Sequence, residues 1–161
     1  FINSKKQLLR KHEMIYLFHN PTKPKDLNWI YNPQMVKGEP YIRGKINNTN
    51  SAVYEHQKQY YHENLSGDRF PTSIIKIDNI INKSNKLHPT QKPIDLCEWL
   101  IKTYSNENDI VMDFTMGSGS TIIACINTNR KYIGIEKDKD IFLTAEKRIN
   151  ERVSPLKDEF L

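Results

Sequence analysis

The chain has 161 residues, of which 37% are hydrophobic and 8 are proline, so it has the length of one domain with a modest core and long irregular stretches. Its net charge of +5 is uneven, because residues 1–70 carry 11 Lys and Arg against 6 Asp and Glu, whereas residues 71–161 carry 13 of each. No apolar run approaches the roughly 20 residues of a membrane helix, and the 5 histidines lack the spacing of a zinc site. The sequence therefore predicts a cytoplasmic protein with no metal and no membrane contact.

The first half of the chain predicts one strand followed by a polar, basic region. Residues 13–18, EMIYLF, have the apolar character of a buried strand that ends at an Asn-Pro pair. Residues 28–86 are rich in Asn, Gln, Tyr and Lys, and only residues 51–64 have the pattern of a helix. Tyrosines alternate there with cations, a mixture suited to phosphates and bases, although a solvated surface insertion has the same composition. The candidate DNA-contacting cations are Lys37, Arg43, Lys45 and Lys58.

The second half predicts alternating helices and strands. Pro93 is suited to the start of a helix that runs to Tyr104. Strands are predicted over residues 110–114 and 131–136, with a helix over residues 121–127 between them. This order requires a parallel pair with a right-handed crossover, and a ligand site at the carboxyl ends of the strands.

A last helix follows, capped by Asp138 or Asp140, with its apolar residues on one face. Those apolar residues are Ile141, Ala145 and Ile149. Cys97 and Cys125 each fall inside a predicted helix, which favours buried and reduced thiols.

A glycine turn, MGSGST, follows the strand that ends in Asp113. Gly117 and Gly119 permit a tight turn and close approach of a ligand, and the following hydroxyl residues suit a helix start. Glu136 ends the next strand 23 residues after Asp113, about where a ribose-binding carboxylate falls in dinucleotide folds. A third glycine and a P-loop lysine are both absent, so a nucleotide phosphate fits poorly. A phosphate-free adenosine cofactor with a cationic tail, S-adenosylmethionine, fits better, although a glycine turn alone can join any strand to any helix.

Three segments carry a family resemblance. HPTQKP at residues 88–93, DFTMGSGST at residues 113–121 and YIGIE at residues 132–136 resemble motifs X, I and II of the beta-class DNA amino-methyltransferases, in that family's permuted order. LRKHEMIYLF, YNPQMVKGEPY and DRFPTSIIK resemble the surroundings of its target-recognition region, so the resemblance covers nearly the whole chain. One departure is Asp-Phe-Thr at residue 113, where many members have Asp-Pro-Phe.

The resemblance implies an α/β fold: a partial Rossmann-like methyltransferase sheet with helices on both faces and an irregular recognition insert. It assigns residues 1–27 to the methyltransferase core, residues 28–86 to DNA target recognition and residues 87–161 to S-adenosylmethionine binding. The implied reaction methylates the exocyclic amine of adenine in double-stranded DNA, with cytosine N4 as the alternative. The implied cofactor residues are Thr90, Gln91, Lys92, Asp113, Phe114, Met116, Gly117, Ser118, Gly119, Ser120 and Glu136.

The family's catalytic tetrapeptide, Asp-Pro-Pro-Tyr or its Ser and Asn variants, does not occur in the sequence. We therefore expect the C-terminal part of a larger enzyme, inactive by itself. The resemblance also implies a restriction endonuclease partner system. A non-catalytic DNA-binding or cofactor-binding module is the rival interpretation, and an RNA methyltransferase is a third. The family's sheet places the catalytic strand beside residues 110–114, so an open strand edge predicts self-association or dimer formation.

Overall fold

The computed structural model describes residues 12–18, 29–43, 62–77 and 91–158. The strands of the first half are β1 (Val36–Lys37), β2 (Tyr41–Arg43), β3 (His62–Asn64) and β4 (Asp68–Arg69). The elements of the second half are α1 (Ile94–Tyr104), β5 (Ile110–Asp113), α2 (Ser120–Asn127), β6 (Lys131–Gly134) and α3 (Lys139–Asp158). The second group confirms the predicted order of elements. Among the residues described, no helix is both long and apolar enough to cross a membrane.

Strands β5 and β6 pair in parallel, from Ile110 opposite Lys131 to Asp113 opposite Gly134. The predicted parallel pair is therefore confirmed, although each strand ends one or two residues earlier than expected. Backbone contact continues past the strand ends, since Ile135 N–H donates to the Asp113 carbonyl at 2.9 Å. The two carboxyl ends consequently stay side by side as the chain enters the glycine turn.

Two small apolar clusters hold the helices to one face of this strand pair. In the first, Ile101 of α1 packs against Ala124 and Cys125 of α2, with Val111 of β5 beside them. The second consists of Met116, Ile122 and Ala145, with Ile126 and Ile149 packed around them. The predicted apolar face of the last helix is confirmed at Ala145 and Ile149. Both cysteines are free thiols within helices, as predicted; Cys125 is buried, whereas Cys97 is only half-buried.

The other face of the strand pair is exposed. Side chains alternate along a strand, so Ile110, Met112 and Ile133 point away from the helices. They are 65%, 59% and 47% exposed. The expectation of helices on both faces is therefore not met in residues 91–158, where α1 and α2 pack on the side of Val111 and α3 packs against α2.

Residues 12–18 do not form the predicted strand. They have no regular secondary structure, and Met14, Tyr16 and Phe18 are 70%, 67% and 88% exposed. A strand requires a neighbour to accept and donate its backbone hydrogen bonds, and no other described segment pairs with this one. An apolar run alone therefore gave a wrong prediction here.

The first half forms two short antiparallel ribbons. β1 pairs with β4, and β2 pairs with β3. Gly38 N–H donates to the Gly67 carbonyl at 2.9 Å, where Gly67 has φ 73° and a Cβ would lie 2.1 Å from the Gly38 oxygen. This turn therefore needs glycine. The predicted helix over residues 51–64 is wrong at its end, since His62–Asn64 is strand β3, and residues 51–61 lie outside the described residues.

Asn32 ties the polar half of the chain to helix α1. Its N–H donates to the Thr103 carbonyl at 2.7 Å, and its Nδ2 donates to the Ser105 carbonyl at 3.0 Å. The rings of Trp29, Tyr31 and Tyr104 lie nearby, with centroids 6.2–6.3 Å apart. The segment after residue 28 is thus held against the end of α1.

Candidate functional site

The glycine turn that joins β5 to α2 contains two left-handed residues, Gly117 at φ 53° and Gly119 at φ 79°. A Cβ at Gly119 would meet Ala145 and Ile149 of α3 at 3.4 Å, which is ordinary contact, whereas a Cβ at Gly117 would meet nothing within 4 Å. Gly119 therefore sits against the core. Gly117 leaves open space beside its backbone, on the side where a ligand can approach.

Glu136 links the second strand to this turn. One carboxylate oxygen accepts the Gly117 N–H at 3.0 Å, and the other accepts the Asp138 N–H at 3.0 Å. The pKa of Glu136 is lowered, chiefly by the Asp138 hydrogen bond and also by those from Gly117 and Lys137, against a smaller opposing effect of burial. The carboxylate is therefore ionised, half-buried and fixed next to the open side of the turn.

Asp113 is the last residue of β5, and its Oδ1 accepts the Thr115 N–H at 3.0 Å. This bond turns the chain out of the strand. Phe114, the next residue, is 70% exposed, whereas Met116 is 8% exposed and belongs to the core. Asp113 and Glu136 thus place a carboxylate at the carboxyl end of each strand, and the described structure brings both predicted acids to one edge.

The serines of the turn do not cap α2 as predicted. The N-cap is Gly119, with no side-chain cap. Arg148 of α3 instead donates to the Ser118 carbonyl at 2.9 Å and to the Ser120 Oγ at 3.3 Å. Burial lowers the pKa of Arg148. Sequence reasoning did not predict that Arg148 contacts the turn. Its one signal in the sequence is its position in the last helix between Ala145 and Ile149, which belong to the apolar face of that helix.

The segment before α1 contributes two described residues. Gln91 is buried, whereas the exposed Lys92 Nζ lies 2.5 Å from Glu13 Oε2. Such exposed pairs contribute about 0–1 kcal/mol, so the pair orients Lys92 more than it stabilises the fold. Thr90 lies outside the described residues.

Two of the predicted DNA-contacting cations, Lys37 and Arg43, lie within the described residues. Lys37 Nζ lies 2.6 Å from Asp68 Oδ1, and this hydrogen bond is the main reason that the pKa of Asp68 is lowered. Arg43 is exposed, with its guanidinium 5.2 Å from the centroid of the Tyr41 ring. Lys45 and Lys58 lie outside the described residues.

A separate groove of about 400 Å³ lies between the three helices. It is lined by Ile94, Ile123, Asn127, Arg148, Glu151 and Arg152. Neither Asp113 nor Glu136 lines it. The groove is therefore a feature of the helical face, distinct from the edge where the two carboxylates meet.

A family model described as DNA methylase, of the N6 and N4 type, matches residues 1–147. The chain belongs to this DNA methylase family. The match includes both ribbons, the glycine turn and Glu136, so one family accounts for the basic half and the acidic edge together.

Two curated relatives and one solved structure are similar to this chain. The chain is 38% identical over 96 residues to the type II methyltransferase M.HpaI of Haemophilus parainfluenzae, covering 58% of this chain and 31% of that protein. It is 34% identical over 144 residues to the orphan methyltransferase M.BamHII of Bacillus amyloliquefaciens, and the match covers 85% of this chain and 53% of that protein. The solved M1.HpyAVI–SAM complex is 31% identical, with a TM-score of 0.49 over 78% of this chain and 46% of that one. The chain thus spans about a third to a half of these relatives.

Proposed function

We propose that the chain forms the S-adenosylmethionine-binding and target-recognition part of a DNA methyltransferase that acts on the N6 amine of adenine. The observation that carries the proposal is the 3.0 Å hydrogen bond from Gly117 N–H to Glu136, beside open space at Gly117. Membership of the DNA methylase family supports the reaction class. Cytosine N4 is the alternative target, because the family includes both types and the preference for adenine rests on overall resemblance.

The described residues fit a cofactor with a ribose and a cationic tail but no phosphate. A carboxylate has about four lone-pair sites. Gly117 N–H and Asp138 N–H each donate to a different oxygen of Glu136, and Lys137 N–H also interacts with this carboxylate, so acceptor capacity is left for the ribose. We assign the ribose to Glu136. We assign the methionine end to Asp113, whose negative charge favours a cationic ligand, and to the backbone of residues 117–120.

The remaining predicted residues would complete the pocket. Phe114 exposes its ring directly after Asp113, and Met116 lies in the core below the turn. Lys92 raises an electrostatic question, because an ammonium beside a cationic cofactor is unfavourable. Its contact with Glu13 compensates that charge. We therefore retain Thr90, Gln91 and Lys92 as the proposed side wall of the pocket.

Bound S-adenosylmethionine supplies an electrophilic methyl group on a sulfonium. The residues of this chain bind and orient: Glu136 stays ionised because backbone donors lower its pKa, and Gly117 keeps the approach open. The adenine amine is a weak nucleophile, since its lone pair is delocalised into the ring. The family's Pro-Pro tetrapeptide, which contacts the extruded base, is absent from the sequence.

This absence favours a second candidate function for the chain by itself. It would be a non-catalytic module that binds cofactor and DNA while another polypeptide segment supplies the catalytic motif. One relative is named a type II methyltransferase and another an orphan methyltransferase. These names differ, so a restriction endonuclease partner for this chain stays a prediction.

Calorimetric titration with S-adenosylmethionine tests the cofactor site. Glu136→Ala removes both ribose acceptors, so we expect the dissociation constant to rise on the order of tenfold to a hundredfold. Glu107→Ala is the matched control, because Glu107 is an exposed acid in the turn before β5, at the opposite end of the strand. An unchanged dissociation constant for Glu136→Ala, with the far-ultraviolet spectrum intact, would remove Glu136 from the site.

A further inference from the structure

Two guanidinium groups lie against the ring of Tyr41 in strand β2. The Arg69 Cζ is 4.6 Å from the ring centroid and the Arg43 Cζ is 5.2 Å from it. Both distances fall within the roughly 6 Å at which a cation is attracted to an aromatic face. Arg69 is half-buried and Arg43 is exposed, so the two cations have different surroundings.

The Arg69 guanidinium is fixed by backbone carbonyls. Its Nη1 donates to Gly67 at 2.9 Å and to Asp68 at 3.3 Å, and its Nη2 donates to Glu39. These bonds connect the turn before β4 to the loop before β2. Because its donors are directed inward, Arg69 holds the ribbons and the Tyr41 ring in place and is poorly placed to contact an external ligand.

Lys37 is exposed but already has an ionic partner, because its Nζ lies 2.6 Å from Asp68 Oδ1, and a DNA phosphate would have to compete with that carboxylate. Arg43 differs from both residues. Arg43 is exposed and contacts the Tyr41 ring through a cation–aromatic interaction, so its N–H groups can reach phosphate oxygens with the fork geometry that suits them. A carboxylate already neutralises Lys37, whereas the contact of Arg43 with Tyr41 leaves its full charge.

We propose that Arg43 contacts a DNA phosphate, that Tyr41 and Arg69 position it, and that Lys37 belongs to the ribbon and does not contact DNA. The inference rests on the proposed DNA-binding function and revises its residues. Of the two predicted cations in the described residues, it keeps Arg43 as the contacting residue and removes Lys37, and it adds Arg69 as a positioning residue.

Fluorescence anisotropy with a mixed-sequence duplex, titrated between about 50 and 200 mM salt, tests the assignment in the full chain. Each neutralised phosphate contributes about 0.9 to the slope of log affinity against log salt concentration. Arg43→Gln should therefore reduce the slope by about 0.9. Lys37→Gln should leave the slope unchanged, as should the control Lys147→Gln, whose ammonium is on the exposed side of α3.

The positioning role of Arg69 is tested by a double-mutant cycle. Arg69→Gln should weaken DNA binding severalfold when Arg43 is present and should have little effect on the Arg43→Gln background. An equal loss on both backgrounds would show general loosening of the ribbons and would overturn the positioning role. Arg69→Lys should not restore affinity, because an ammonium cannot bridge the same carbonyls while lying flat on the ring.

Other results separate this inference from the proposed function. If the unmodified chain binds duplex DNA with a salt dependence that Arg43→Gln does not change, the inference fails and the proposed function stands. A reduced slope for Lys37→Gln would also overturn the inference. If the unmodified chain shows no salt-dependent binding, or prefers duplex RNA, the DNA-binding proposal itself fails.

Discussion

Replacement of Gly134 by Ala tests the packing behind the glycine turn. A Cβ at Gly134, the last residue of β6, would lie 2.4 Å from the Met116 Sδ and 3.0 Å from the Ile122 Cδ1. Met116 is 8% exposed and Ile122 is 1% exposed, so neither can move into solvent. The thioether can adapt in part, whereas the β-branched isoleucine has one strongly preferred rotamer in a helix. Gly134→Ala therefore overpacks this cluster.

Overpacking a core costs about 1–3 kcal/mol. Two effects of the backbone decide how much of this cost is observed. Gly134 has no left-handed φ, so the alanine adds no backbone strain. Alanine also reduces the entropy of the unfolded chain, which returns about 0.4–1 kcal/mol. We therefore expect Gly134→Ala to lower the free energy of unfolding by about 0.5–2 kcal/mol.

Urea denaturation followed by circular dichroism measures this change. Gly38→Ala is the matched control, because a Cβ there would meet its nearest atoms at 3.5 Å. It should change stability by no more than about 0.5 kcal/mol. On a Met116→Ala background the cost of Gly134→Ala should be smaller, since the group at 2.4 Å is gone and the contact with Ile122 at 3.0 Å remains. An equal cost on both backgrounds would refute the packing argument.

Three further predictions concern the cap, the thiols and pH. Asp138 Oδ1 accepts the N–H groups of Asp140 and Ile141 at 3.0 Å, so Asp138→Ala should cost about 1 kcal/mol in urea denaturation and Asp138→Ser much less. Burial raises the pKa of Cys125 to about 11. A disulfide reagent at about pH 8 should therefore label Cys125 slowly in the folded chain and rapidly in urea. Rapid labelling of Cys125 in the folded chain would contradict its burial. The pKa of Glu136 is lowered, so its carboxylate stays charged until the pH falls through that lowered value. Cofactor affinity should thus be constant from about pH 8 to about pH 5 and weaken only in more acidic solution, whereas a loss between about pH 7 and 6 would exclude this carboxylate.

The second half of the chain could be predicted from sequence because its signals are local. Pro93 precedes α1, Gly117 and Gly119 turn the chain into α2, and Asp138 caps α3. Each of these residues acts on its own backbone or on groups within a few residues. Their effects on structure are therefore visible in a short stretch of sequence.

The first half could not be predicted in the same way, because its structure depends on distant partners. The apolar residues 13–18 lack a described neighbour to pair with, and His62–Asn64 becomes a strand because β2 lies beside it. Local pattern does not contain either fact. The same limit applies within the site, where Arg148 reaches the turn from 30 residues away along the chain.

Radiolabelled methyl transfer to mixed-sequence duplex DNA tests the central claim most directly. Only interactions gained in the transition state raise a rate, so binding the cofactor through Glu136 cannot replace a group that contacts the extruded base. The 161-residue chain should therefore transfer no methyl group, whereas the same chain extended upstream through an Asp-Pro-Pro-Tyr motif should methylate adenine. Turnover by the 161-residue chain alone would contradict the account.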